Sequence, residues 1–266
     1  MKEVEEFSKY GPWAVVAGAS IGLGECFSRK LAARGMNLVL IARGKEKLEF
    51  LADELRVAHA VEVRTAALDL GQPDVIESLW PVVADLEVGL LVYNAAYGEI
   101  GDFLETELED KLKTIDVNCR GPLLFVSAFA PEMVERGRGG ILLMSSMTGF
   151  CGSAKVSTYA ASKAFNTVLG EGLWEDLRRN GVDVLSLVAG ATKTPNFIEV
   201  TPAEKIKGLF AMEPEPVVEE ALRALGKGPT RVAGTLNKVV AFVTNRLLSR
   251  RAAVSFLASK MRELYE

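Results

Sequence analysis

From residue 13 to residue 188, apolar runs alternate with segments of helical length, and that alternation admits one class of fold. The runs cover residues 13–17, 37–42, 61–67, 89–93, 140–144 and 182–188. Several are apolar almost throughout, as strands covered on both faces of a parallel sheet must be. Between them, residues 24–34, 45–57, 73–84, 108–136 and 158–180 carry helical length and spacing. Strand, helix, strand in repetition builds βαβ units and a doubly wound sheet. No linker, repeat or low-complexity tract interrupts the pattern. The expected fold is a single doubly wound Rossmann-type α/β domain with a mostly parallel sheet and a helical C-terminal extension. Residues 1–235 form this domain, and residues 236–266 extend it.

The first run leads straight into Gly18-Ala19-Ser20-Ile21-Gly22-Leu23-Gly24, a glycine-rich turn that opens a helix. Glycines let backbone approach a pyrophosphate closely, and the free N–H groups of a helix N-terminus stabilise its charge. Gly18, Ser20, Ile21, Gly22 and Gly24 are therefore candidate cofactor residues. The second run ends at Ala42-Arg43, with Lys45 and Lys47 close behind. A carboxylate here suits the ribose 2′-hydroxyl of NAD, whereas arginine suits the 2′-phosphate of NADP. Cations at a helix N-terminus oppose its dipole and so need another reason to be there. Arg43 and Lys47 thus favour NADP (NADPH/NADP+) as the cofactor.

Tyr159 and Lys163 stand four residues apart, on one face of a predicted helix. A free phenol, with a pKa of about 10, is a poor proton donor at neutral pH. A neighbouring cation favours its ionised form, so the pair is expected to do acid–base chemistry without histidine. That matters because His59 is the one histidine, which excludes multi-histidine metal centres. Cys26, Cys119 and Cys151 form no CxxC pair, which argues against zinc and a disulfide framework. A net charge of −4 gives no reason to expect a nucleic acid partner. The first ten residues have no apolar signal core, and no run is long enough to span a bilayer, so a cytoplasmic location is expected.

With these motifs in order, the chain resembles the short-chain dehydrogenase/reductase family from about residue 11 to residue 234, most nearly its hydroxysteroid dehydrogenases and long-chain 3-oxoacyl reductases. Asp69-Leu70 is similar to the family's adenine-contacting pair, and Tyr93-Asn94-Ala95-Ala96 to its NNAG segment. Asn118 falls at the helix-bending asparagine, and Ser146, thirteen residues before Tyr159, at the catalytic serine. The segment Gly190-Ala191-Thr192-Lys193-Thr194 is similar to the one placed over the nicotinamide. The resemblance implies hydride transfer between NADPH and a carbonyl carbon, with Tyr159 as proton donor. It further implies that Lys163 lowers the Tyr159 pKa and binds the nicotinamide ribose, that Ser146 holds the substrate oxygen, and that Asn118 positions a water. A homodimer or homotetramer is the expected assembly. Ala17, Tyr93, Ala96 and Ala189 depart from the family pattern, at positions that concern scaffolding or cofactor fit.

Beyond the sixth run the texture changes. Residues 190–216 are rich in proline and lack periodicity, as expected of a lid. Phe197, Ile198, Leu209, Phe210 and Met212 there, with Tyr97-Gly98 and residues 147–153, suggest a pocket for a lipophilic ketone or alcohol. In the tail, Leu236, Val239, Val240, Val243, Leu247 and Leu248 recur at helical spacing among basic residues. Packing on the domain or a neighbouring subunit is expected, with attachment to an anionic membrane surface as the alternative. The rival to an enzyme is a nucleotide-binding sensor or a silent subunit of a heteromeric dehydrogenase. Retention of the proton-transfer residues weighs against it.

Overall fold

A computed structural model describes residues 7–206 and 210–265. Leu209 lies outside the described residues. Seven strands form one sheet in the order β3-β2-β1-β4-β5-β6-β7, and every pairing is parallel. They are β1 (Trp13–Ala17), β2 (Asn37–Ala42), β3 (Val63–Ala67), β4 (Val88–Tyr93), β5 (Gly139–Ser146), β6 (Val182–Ala189) and β7 (Thr230–Val232). The expected single doubly wound domain is present, and the sheet is wholly rather than mostly parallel. Every residue of β1 and β4 is buried, which is why their sequences do not alternate.

Helices cover both faces. α1 (Gly22–Ala32), α2 (Lys45–His59) and α9 (Pro214–Ala224) pack one side through Phe27, Leu31, Leu48, Leu55, Val217 and Leu222. α3 (Val75–Val83), α5 (Gly121–Arg136) and α6 (Ser157–Leu177) cover the other, with Leu79, Phe125 and Met133 fully or nearly buried. Parallel register brings the carboxyl ends of β1, β2 and β4 level: Ala17 pairs with Ile41 on one side and Tyr93 on the other. The glycine turn and the segment after β4 therefore emerge side by side.

Four features differ from the sequence reading. β7 was not anticipated, since three residues carry too little periodicity; it pairs Ser186–Val188 with Thr230–Val232. The long helix expected over residues 108–136 is broken into α4 (Leu108–Ile115) and α5 by a π-helical turn, Asp116–Arg120. Such turns insert an extra residue and re-aim side chains, often at functional sites. The lid is not structureless: it carries α7 (Pro195–Val200) and α8 (Ala203–Ile206).

The tail is helical, as α10 (Thr235–Phe242), a π turn (Val243–Leu247) and α11 (Arg250–Tyr265). Apolar spacing alone does not set the orientation of α10 and the π turn. Leu236, Val239, Phe242 and Leu247 are exposed, whereas Asn237, Ala241 and Thr244 face inward. No helix among the described residues is long and apolar enough to cross a membrane.

Tyr93 accounts for one departure from the family pattern. It is 2% exposed, its ring packs edge-on to Phe125 at 5.4 Å, and its hydroxyl donates to the carbonyl of Val117 in the π turn at 2.7 Å. A Cβ on Gly121 would lie 2.0 Å from that hydroxyl, so tyrosine at 93 and glycine at 121 require one another. Tyr93→Phe should strand the Val117 carbonyl and cost about 1–3 kcal/mol, measurable by urea unfolding. Unchanged stability would show that this bond does not hold the turn.

Candidate active site

The glycine turn has the geometry of a cradle. Gly18 and Gly22 adopt φ of +81° and +62°, in the left-handed region that side chains disfavour. A Cβ at Gly24 would lie 1.8 Å from the Gly18 carbonyl oxygen, so only glycine lets α1 begin there. Asn94 Nδ2 donates to the Gly18 carbonyl at 2.9 Å, and the amides of Asn94 and Ala95 both donate to Ala17. These bonds lock the first and fourth strand ends together without the threonine hydroxyl that Ala17 lacks. No side chain caps α1 at Ile21, which leaves its leading amides free for an anion.

A cleft of about 860 Å³ opens beside this turn, lined by Ser20, Ile21, Arg43, Lys47, Asp69, Leu70, Ala95 and Ala96 among others. Arg43, Lys45 and Lys47 are exposed along its rim, and none has a salt-bridge partner among the described residues. Asp69 accepts from the amide of Gly71 at 3.0 Å, which turns the chain after β3. Lys113 and the Tyr97 side chain also line this cleft; the helical pattern of residues 108–136 hid the contribution of Lys113.

Ser146, Tyr159 and Lys163 meet at the carboxyl end of β5. The two adjacent serines are used differently. Ser145 donates to the carbonyl of Lys163 and shares a bond with Thr167, both at 2.7 Å, within the core. Ser146 ends the strand, caps the turn Met147–Phe150 by accepting from Thr148, and lies close enough to the Tyr159 phenol to favour its ionised form. Two glycines press on the pair. A Cβ at Gly98 would lie 2.6 Å from Tyr159 Cδ2, and one at Gly149 would lie 2.8 Å from the backbone of Lys163 and Ala164.

Lys163 Nζ donates to the carbonyl of Met144 at 2.9 Å and sits 5.6 Å from the Tyr159 ring centroid. Burial pushes the Lys163 ammonium down to about 8. Burial likewise pushes the Tyr159 phenol up to about 12, against the pull of the nearby Ser146 hydroxyl and with Tyr265 adding to the rise. The expectation that Lys163 draws the phenol pKa down is therefore not met in this arrangement. Desolvation disfavours both charged forms, and the cation is spent on a main-chain carbonyl.

Asn118 has a structural task that its place in the sequence does not report. It is fully buried in the π turn, where Oδ1 accepts from the Tyr97 amide at 2.8 Å. Its Nδ2 donates to the Tyr97 carbonyl at 2.7 Å and to Ser162 Oγ at 2.8 Å, and its own carbonyl accepts from Asn166 at 3.0 Å. The side chain fastens the segment after β4.

The base of the lid is pinned. Thr192 bridges to Met212 in parallel fashion, flanked by Lys193 N to Met212 O and Met212 N to Ala191 O, both 2.9 Å. Thr192 Oγ1 donates to the Gly190 carbonyl at 3.0 Å, and a Cβ at Gly190 would lie 2.5 Å from Asn237 Nδ2. Thr194 caps α7, and its side chain faces Gly22, where a Cβ would approach it to 3.0 Å. The lid thus starts against the glycine turn. Ile198 and Phe210 are more than half exposed, and Phe197 and Met212 are partly buried.

Comparison with known proteins follows these lines. The short chain dehydrogenase family profile matches residues 12–205. The chain is 34% identical over 237 residues to a 7β-hydroxysteroid dehydrogenase of Collinsella aerofaciens, covering 86% of this chain and 89% of that one. It is 35% identical over 239 residues to a very-long-chain 3-oxoacyl-CoA reductase of Pyricularia oryzae, covering 87% and 70%. A solved structure bearing on 7β-hydroxysteroid dehydrogenase stereoselectivity superposes with a TM-score of 0.89 at 30% identity, over 94% of this chain and 98% of that one. A short-chain dehydrogenase from Sphingobium yanoikuyae in complex with NADPH gives 0.76 at 29% identity, over 83% and 87%.

The buried ammonium predicts a pH signature. A lysine lowered from 10.5 to about 8 on folding is charged at a cost below about pH 8. Between about 8 and 10.5 the unfolded chain binds more protons than the folded one, so stability rises with pH across that window. Against a Lys163→Met reference, the wild-type unfolding free energy should improve from about pH 7.5 to about pH 10, read from urea melts. A difference that stays flat would mean that the ammonium is not desolvated.

Proposed function

The chain belongs to the short-chain dehydrogenase family and is an oxidoreductase; on that premise we propose that it is NADP-dependent and interconverts a ketone and a secondary alcohol on a mainly apolar small molecule. The observation that carries this reading is the convergence of Ser146, Tyr159 and Lys163 at one strand end, next to a glycine cradle that a single Cβ would fill. The uncapped start of α1 and the cleft beside it fit a dinucleotide. Gly18, Ser20, Ile21, Gly22 and Gly24 would hold its pyrophosphate, Asp69 and Leu70 its adenine, and Asn94, Ala95, Ala96, Gly190, Thr192 and Thr194 its nicotinamide half. When bound, the nicotinamide supplies or accepts the hydride.

This chain's residues manage the proton and the orientation. Ser146 donates a hydrogen bond to the substrate carbonyl oxygen and aligns it with the phenol. Tyr159 releases its proton to that oxygen as negative charge develops there. A phenol pushed up to about 12 stays protonated at neutral pH, which is the form that reduction needs. Lys163 stands beside it as the group that the nicotinamide ribose would meet. Asn118 acts at one remove, through the Tyr97-Gly98 backbone that backs the Tyr159 ring.

NADP is favoured by the unpaired cations Arg43, Lys45 and Lys47 at the end of β2, and a solved relative carries NADPH. The substrate class is supported by relatives named as a 7β-hydroxysteroid dehydrogenase and a very-long-chain 3-oxoacyl-CoA reductase. A bulky lipophilic ketone suits the apolar lid residues. Self-association has a candidate surface on α4 and its neighbour α6, where Leu108, Leu112, Ile115 and Val168 are exposed.

Two substitutions test the reading. Tyr159→Phe should keep NADPH affinity while lowering kcat for ketone reduction by about a hundredfold or more, within the range of general acid catalysis. Near-normal turnover would remove Tyr159 from the mechanism. Loss of a charge-assisted phosphate contact worth about 1.5–3 kcal/mol means that Arg43→Ala should weaken NADPH by about tenfold or more and leave NADH almost unaffected. Fluorescence titration with both cofactors decides it, and equal losses would refute the 2′-phosphate assignment.

A further inference from the structure

A second tie acts on the segment after β4, at the end away from Asn118. Lys155 lies four residues before Tyr159, in the loop that leads into α6, and adopts φ of +64°. That is the left-handed region, which costs a lysine energy and which glycine takes freely. Residues held there persist only where the surrounding structure fixes them, and they gather where a site needs one particular backbone course. The surroundings do fix this one. Its carbonyl accepts from the amide of Gly101 at 2.9 Å, and its ammonium meets the Asp102 carboxylate at 3.0 Å. The lysine side chain is 14% exposed and the aspartate 55%, so the pair stands at the protein's edge with the ammonium covered.

Between the two ties runs the stretch that backs the proton donor. Asn118 holds both backbone groups of Tyr97, and Thr114 Oγ1 donates to the Glu99 carboxylate at 2.6 Å. Gly98 in the middle leaves room for the Tyr159 ring, since a Cβ there would lie 2.6 Å from Cδ2 and 3.1 Å from Cγ. Beyond Asp102 the chain lies at the surface, with Phe103 and Leu104 exposed. Lys155 joins this stretch to the loop that carries Tyr159 into α6. The chain behind the phenol and the chain that leads to it are thereby fixed to each other.

We propose that the Lys155–Asp102 pair is a positioning clasp for Tyr159, which fixes residues 98–102 to the start of α6 and so holds the phenol in line with the substrate carbonyl. The clasp rests on the reading of Tyr159 as proton donor to a ketone. Lys155 and Asp102 act through the placement of the Tyr159 ring and touch neither substrate nor cofactor in this assignment. Their effect therefore falls on kcat rather than on binding, because a misaligned proton donor is felt in the transition state.

The test uses the full-length protein with NADPH and the best ketone from a set of 7-oxosteroids and 3-oxoacyl thioesters. Asp102→Ala removes the carboxylate, and Lys155→Gly removes the ammonium while keeping a residue at ease with φ of +64°. Each should lower kcat by about threefold to fivefold, the scale of a partly exposed ion pair, with KM and NADPH affinity within about twofold of wild type. The double variant should fall no further, since both changes break one interaction, and Lys155→Arg should keep most of the rate. In the free protein, amide hydrogen exchange over residues 98–102 should speed up by about threefold in both single variants. Unchanged kcat and exchange, losses that multiply in the double variant, or a raised KM with kcat intact would overturn the clasp alone. A wild type inactive on every ketone would overturn the proton-donor reading and the clasp's role with it.

Discussion

The Asn118 amide is the fastening on which the site's geometry depends. One side chain takes both the donor and the acceptor of the Tyr97 backbone and reaches Ser162 in α6 as well. It can do so because the π turn points it inward, and the Tyr93 hydroxyl supports that turn through the Val117 carbonyl. The fastened segment continues into Gly98, which packs so close to the Tyr159 ring that a Cβ there would lie 2.6 Å from Cδ2. A regular helix through residues 108–136 would rotate Asn118 by one position, about 100° around the axis, and break the whole series. The irregularity that interrupts the helix is thus the feature that seats the proton donor.

Energetically the site is held in a costly state by its surroundings. An ammonium and a phenol lie in low dielectric, each with its charged form disfavoured. The ammonium is satisfied by one carbonyl, and the lack of a side chain at Gly98 and Gly149 lets backbone pack closely on Tyr159 and Lys163. Stability given up here is supplied by the sheet, where β1 and β4 are buried throughout and paired on both sides.

The parallel sheet and the order of its elements were legible because buried strands and covering helices leave strong, long patterns. Residues 13–17 and 37–42 match β1 and β2 to the residue. The glycine turn was legible for a different reason: close backbone approach admits no other residue. What escaped had no local signature. β7 spans three residues, and its position follows only from pairing with β6. The π turn at Asp116–Arg120 is set by bonds to Tyr93 and Tyr97, which lie outside any helical window. The shift of Lys163 and Tyr159 away from mutual activation comes from burial, which spacing along one helix does not report.

The rotation of α10 has a consequence for how this chain can vary. Its inward face is chosen by an amide: Asn237 donates to the Ala233 carbonyl at 2.8 Å and abuts Gly190 at the base of the lid. Hydrophobicity would turn the helix the other way, yet Leu236, Val239 and Phe242 are left facing outward. Residue 237 is therefore under constraint from the interior, whereas the outward positions answer only to whatever touches the surface. Among homologous chains, substitutions should accumulate on that outer stripe in step with environment, and the asparagine and its facing glycine should change together or not at all.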